Sequence, residues 1–132
     1  ITELSREIVH ILQGKGYTVA IATNPLFPKI ATYSRLQWLG LSAEEFPLVT
    51  TFEDSHYCKP NPEYYREVCR RLHVEPEHCM MIGNDVAEDM IASKLGMKVF
   101  LLPKCLINKN NEDINKYPHG DFNDLIRFIK SL

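Results

Sequence analysis

Cys79-Met80-Met81-Ile82-Gly83-Asn84-Asp85-Val86-Ala87-Glu88-Asp89 reads as an apolar strand running straight into acids that open a helix. Only Gly83 and Asn84 separate the last apolar residue from the first carboxylate. In open α/β sheets the C-terminal ends of parallel strands are where ligands bind. Asn84, Asp85 and Asp89 would stand at such an edge, and the spacing of Asp85 and Asp89 puts both on one helix face. Carboxylates crowded together repel unless a cation relieves them. Hard oxygen donors at a site of this kind suit Mg²⁺, which keeps several waters and takes one or two carboxylates plus substrate phosphate. Acids in a first helical turn are also stabilised by the helix dipole alone.

Working outward, the same strand-then-helix rhythm recurs. Leu4, Ile8, Val9, Ile11 and Leu12 repeat at helical spacing, with Gly14 and Gly16 as the stop. Tyr17 to Ala22 is a short apolar and β-branched run, predicted as a buried parallel strand, and Asn24-Pro25 breaks it. Ile30 to Leu39, closed by Gly40, is a second helix. Ser42-Ala43-Glu44-Glu45 is a capping-box pattern, and Leu48 to Thr51 a weaker strand. Asn61-Pro62-Glu63 joins an N-cap to a proline at the first helical position, which predicts a helix to about Leu72. The quoted strand follows, then a helix from Val86 to Leu95 closed by Gly96, a strand from Lys98 to Leu102, a polar loop from Asn108 to Gly120, and a last helix capped by Asp121. Alternation of this sort predicts an α/β fold, a Rossmann-like parallel sheet with helices on both faces. No linker divides the chain, so residues 1–132 read as a single domain.

Composition narrows the function classes. At 45% hydrophobic and 24% charged, 132 residues suffice for a core. A formal net charge of -2 gives no electrostatic footprint for nucleic acid. There is no apolar run of membrane-spanning length and no signal-peptide pattern at the start. The four cysteines, Cys58, Cys69, Cys79 and Cys105, show no metal-binding spacing and fit a reducing, cytoplasmic setting. The five histidines share no spacing, and Phe27, Tyr33 and Trp38 read as core or contact residues.

Two further segments bear on chemistry. Thr23 and Asn24 follow the first predicted strand, where a hydroxyl and backbone N–H groups can hold a phosphoryl oxygen; taken alone, Thr-Asn-Pro is ordinary turn chemistry. Lys59 lies in Cys58-Lys59-Pro60-Asn61-Pro62, where two prolines fix the backbone. A rigidly presented lysine can neutralise phosphate and nearby carboxylates; taken alone, it is a solvated residue in a helix-entry loop.

In chain order, a strand ending Ile21-Ala22-Thr23-Asn24, then Lys59-Pro60, then Gly83-Asn84-Asp85-Val86-Ala87-Glu88-Asp89, resembles the haloacid dehalogenase-like (HAD) hydrolase superfamily over nearly the whole chain. The resemblance implies that Thr23, with Asn24, binds the transferring phosphoryl group. It implies that Lys59 steadies the nucleophile and phosphoryl charge, and that Asp85 and Asp89, with Asn84, hold Mg²⁺. The implied activity is a phosphatase acting on a small phosphorylated metabolite through an aspartyl-phosphate, a covalent route that splits one hard displacement into two. Most of the work in such a reaction is positioning and charge neutralisation.

Two departures accompany the resemblance. The family's opening Asp-x-Asp-x-Thr motif, which carries the nucleophile, is absent from these residues, and so is the cap that usually sets the substrate. The chain therefore reads as a partial HAD-like core, the C-terminal portion of a longer hydrolase, inactive alone. A sheet without its first strand would leave unpaired edges, so a strand donated by another chain or by a preceding segment is expected. The second departure is Gly83-Asn84 where the family often has Gly-Asp, which leaves open whether Asn84 or Asp85 ligates the metal. The alternatives are a degenerate, non-catalytic HAD-like binding module, or a dehalogenase that needs no metal.

Overall fold

The structure is a computed structural model that describes residues 3–23, 26, 29–38 and 40–131. Two units divide it, residues 1–58 and residues 59–132.

The first unit is built on two helices, α1 (Glu3–Gly14) and α2 (Lys29–Trp38). Gly16 ends α1 with φ +87. Its N–H and that of Tyr17 return to the carbonyls of Gln13 and Leu12, a Schellman closure that needs the left-handed conformation glycine adopts freely. Leu36, Leu41, Phe46 and Val49 form a buried cluster, against which Val9, Val19, Ile21 and Tyr33 pack. The capping box at Ser42 is present around a 3₁₀ turn, Ala43–Glu45, with Glu45 accepting the Ser42 N–H at 2.6 Å.

The strand expected over 17–22 is narrower than the apolar run suggested. Ile21 and Val49 form one parallel bridge, through Ile21 N–H to Leu48 O and Thr50 N–H to Ile21 O, both 3.0 Å. The helix closure explains the shortening. Tyr17 spends its N–H on α1, and Tyr17 and Thr18 are exposed, so extended pairing begins only where the apolar side chains reach the cluster.

The second unit is α/β with parallel strands. Helix α3 (Pro62–Leu72) has Asn61 as its N-cap and Pro62 in its first turn, and it ends at His73, which adopts φ 57. Strand β1 (Met80–Gly83) pairs in parallel with β2 (Lys98–Leu101), Met80 opposite Lys98 and Gly83 opposite Leu101. The crossover between them holds α4 (Val86–Asp89) and a 3₁₀ stretch, Met90–Leu95. A regular helix was expected to run through to Leu95. It tightens at Met90, whose carbonyl accepts the Ser93 hydroxyl at 2.8 Å, a local bond that competes with the α-helical ladder. Helix α5 (Phe122–Lys130) follows a capping box at Asp121.

Tyr64, Tyr65, Val86, Met90, Leu101 and Leu125 are fully buried in this unit. Val86 and Met90 lie within the crossover and fix where the acids emerge. No helix among the described residues is long and apolar enough to cross a membrane.

Candidate active site

The geometry begins where β1 ends. Past Gly83 the chain turns through Asn84 and Asp85 into α4. Asp85 is the N-cap, its Oδ1 accepting the Glu88 N–H at 3.0 Å. Asp89, one turn on, folds back over the strand end. Its Oδ2 accepts the backbone N–H groups of Asn84, at 3.2 Å, and of Asp85, at 3.1 Å. The return depends on Gly83. A Cβ at that position would stand 2.5 Å from Asp89 Cγ and 2.8 Å from its Cβ, closer than atoms of a folded chain approach.

The other oxygen of Asp89 takes Lys59. Lys59 Nζ donates to Oδ1 at 2.6 Å, and both side chains are 7% exposed. A buried pair of this kind is held by geometry, because desolvation offsets much of the attraction. Lys59 precedes a cis peptide to Pro60 and the capped start of α3. Its ammonium also lies 5.8 Å from the Tyr64 ring centroid and 6.0 Å from that of Tyr65, within cation–π range. The two rings meet edge to face at 4.9 Å. Tyr65 donates its hydroxyl to the Glu88 carbonyl at 2.6 Å. Burial, reinforced by the Asp89 charge, raises its pKa well above the usual phenol value, so it serves as a neutral wall.

Lys59, Asn84, Asp85 and Asp89 are thus gathered at the C-terminal end of β1. Their partnerships differ from what spacing suggested. Both oxygens of Asp89 are engaged with protein donors. Asp85 Oδ2 and Asn84 Oδ1, by contrast, carry no hydrogen bond among the described residues. No cluster of three or more His, Cys, Asp or Glu side chains suited to a metal ion occurs among the described residues. The donors present are hard oxygens, one of them charged, which fits Mg²⁺ with water and phosphate completing the shell.

Thr23 belongs to the first unit. Its hydroxyl donates to the Thr50 carbonyl at 3.2 Å, and the Thr50 hydroxyl donates back to the Thr23 carbonyl at 2.6 Å. The exchange fixes the chain just past the Ile21 bridge. Asn24 lies outside the described residues.

The sequence pointed neither to Gly83, read only as a spacer before the acids, nor to Tyr64 and Tyr65. Nor did it point to the loop after β2, where Cys105 O accepts from Asn84 Nδ2 at 2.9 Å. No short-range pattern marks these contacts, which are made across 5 to 23 positions. The glycine before an acid cluster was the one visible cue.

Comparison with known proteins bears on the family. A model of the haloacid dehalogenase-like hydrolases matches residues 2–95. The chain is 29% identical over 106 residues to the glyceraldehyde 3-phosphate phosphatase of Methanothermobacter thermautotrophicus, covering 80% of this chain and 46% of that protein. It is 30% identical over 79 residues to the pyrophosphatase PpaX of Bacillus cereus, covering 60% of this chain and 35% of that one. A HAD phosphatase structure from Thermococcus onnurineus superposes with a TM-score of 0.72 at 25% identity, covering 93% of this chain and 55% of that one. The chain spans less than half the length of these curated relatives.

Proposed function

The chain belongs to the haloacid dehalogenase-like hydrolase family, and on that footing we propose that it supplies one side of the active site of a Mg²⁺-dependent phosphatase acting on a small phosphorylated metabolite. The observation that carries the reading is the buried Lys59–Asp89 pair at the end of β1, beside the open oxygens of Asp85 and Asn84. Lys59 and Asp89 cancel each other's charge. Asp85 is then left as the negative group able to attract a cation, while the Lys59 ammonium stays aimed by Asp89.

In this proposal Lys59 offsets the charge that grows on the phosphoryl oxygens and on an attacking carboxylate from the rest of the protein. Thr23, with Asn24, holds the phosphoryl group, and the reciprocal bond to Thr50 sets the Thr23 backbone. A bound Mg²⁺ would add Lewis-acid stabilisation of phosphate charge, held at the Asp85 carboxylate, while Asp89 orients Lys59. The relatives are named as phosphatases of different substrates, so the class of reaction is proposed here and the metabolite is left unspecified. Among the described residues the sheet of the second unit has two strands; a further strand from the rest of the protein, or from a second copy, belongs to the same proposal.

The test is hydrolysis of p-nitrophenyl phosphate by the full-length protein under Mg²⁺ titration. Lys59→Ala is expected to lower kcat by about 10²-fold or more, with a smaller rise in KM, because the charge it meets develops towards the transition state. Thr23→Ala lowers kcat less. Unchanged turnover in the Lys59 variant would refute the assignment.

A further inference from the structure

After β2 the chain runs on alongside the acid-bearing turn. Leu102 N–H donates to Gly83 O, Ile107 N–H to Asn84 O, and Val86 N–H to Ile107 O, each at 2.9 Å. Residues 83–86 and 102–107 therefore continue the parallel pairing of β1 and β2 past the strand ends, and Asp85 and Ile107 form a bridge. Between these anchors the loop bows outward through Pro103, Lys104, Cys105 and Leu106. At its tip Cys105 is exposed and takes φ 59, a left-handed conformation uncommon away from glycine and sustained only where surroundings hold it. Among the described residues, the side chain that ties this tip to the acid turn is Asn84, whose Nδ2 donates to the Cys105 carbonyl at 2.9 Å.

We propose that Asn84 is a positioning residue for this loop, and that Asp85 is the chain's one carboxylate for the divalent cation. The second half rests on the phosphatase reading above, and the first does not. An aspartate at position 84 has no N–H to offer. It would set a carboxylate oxygen against a carbonyl across 2.9 Å, two acceptors face to face, and would add a second negative charge next to Asp85. Asparagine avoids both. Its amide nitrogen pins the loop, and its Oδ1 remains a neutral oxygen beside the Asp85 carboxylate. The loop, with exposed Lys104, Cys105 and Ile107, then forms a fixed rim on the site.

Hydrogen exchange on the full-length protein, without metal, tests the pin. Asn84→Asp is expected to speed exchange of the Ile107 and Val86 amides about tenfold and to raise the alkylation rate of Cys105. The amides of Ile82 and Phe100, within the strand pair, should keep their wild-type protection, which shows that the variant is folded. Unchanged exchange at Ile107 overturns the pin.

The metal half is read from Mn²⁺ line broadening of the amides of residues 84–88, with Mn²⁺ alone as the probe. Asn84→Ala is expected to keep the broadening and Asp85→Asn to lose it. Loss in Asn84→Ala as complete as in Asp85→Asn would make Asn84 a ligand and overturn the assignment. No broadening in the unsubstituted protein would overturn the metal half together with the phosphatase reading, while the exchange result still decides the pin.

Discussion

Removing the Lys59 ammonium leaves Asp89, 7% exposed in its side chain, as a carboxylate with no ion pair to another described residue. Breaking a buried ion pair by deleting one partner typically costs about 3–5 kcal/mol. Asp89 keeps the N–H groups of Asn84 and Asp85, which places Lys59→Ala near the lower end, at ~3 kcal/mol. With urea slopes of about 1.5–3 kcal/mol/M, that loss moves the unfolding midpoint by about 1–2 M. The sharper assay is a reversal of sign. In the wild-type background Asp89→Asn removes the carboxylate charge that faces the buried ammonium and destabilises. In the Lys59→Ala background the same change removes an unpaired charge, retains an amide oxygen for the backbone donors, and restores about 1–2 kcal/mol. Urea unfolding followed by circular dichroism measures all four proteins. If Lys59→Ala costs under ~1 kcal/mol, as an exposed pair would, or if Asp89→Asn destabilises both backgrounds equally, the account of a buried, mutually dependent pair is wrong.

Gly83→Ala forces a Cβ into the Asp89 carboxylate and should cost about 1–3 kcal/mol, with faster amide exchange at Asn84 and Asp85; Gly14→Ala, which meets nothing within 4 Å, should be neutral or stabilising in the same urea series. The Ser42 N–H, with a smaller contribution from His10, holds the Glu45 carboxyl below its ordinary value. Stability from Glu45 is therefore present above the ordinary glutamate range and lost as pH falls through the lowered value, so melting temperatures of Glu45→Gln and wild type should converge in acid and separate towards neutrality. Cys69 is pushed up to about 12, chiefly by burial and next by Cys79. At neutral pH iodoacetamide should label exposed Cys58 and Cys105 well before Cys69. Between the ordinary thiol range, about 8.5, and that value the unfolded chain loses its proton first, so Cys69 makes the fold less stable as pH rises, and Cys69→Ala should flatten the alkaline fall in melting temperature.

Much of the architecture was legible from the chain because the interactions that set it are local. Helix boundaries at Asn61-Pro62 and Asp121, the Ser42 box and the stops at Gly16 and Gly96 all depend on groups within a turn of one another. The strand-then-acids order at 79–89 and the Thr23, Lys59, Asp85 succession were enough to indicate the HAD family, which the family match bears out. Only the tertiary structure decided what each acid does. Asp85 and Asp89 look equivalent in sequence, yet one caps a helix with an oxygen left open and the other spends both oxygens on Lys59 and two backbone N–H groups. That division is set by a lysine 30 positions away, by the bare Cα of Gly83, and by a loop beyond β2 that reaches Asn84. The strand over 17–22 shortened for a related reason. Pairing depends on which N–H groups the neighbouring helix end has already taken, and a hydrophobic pattern carries no record of that.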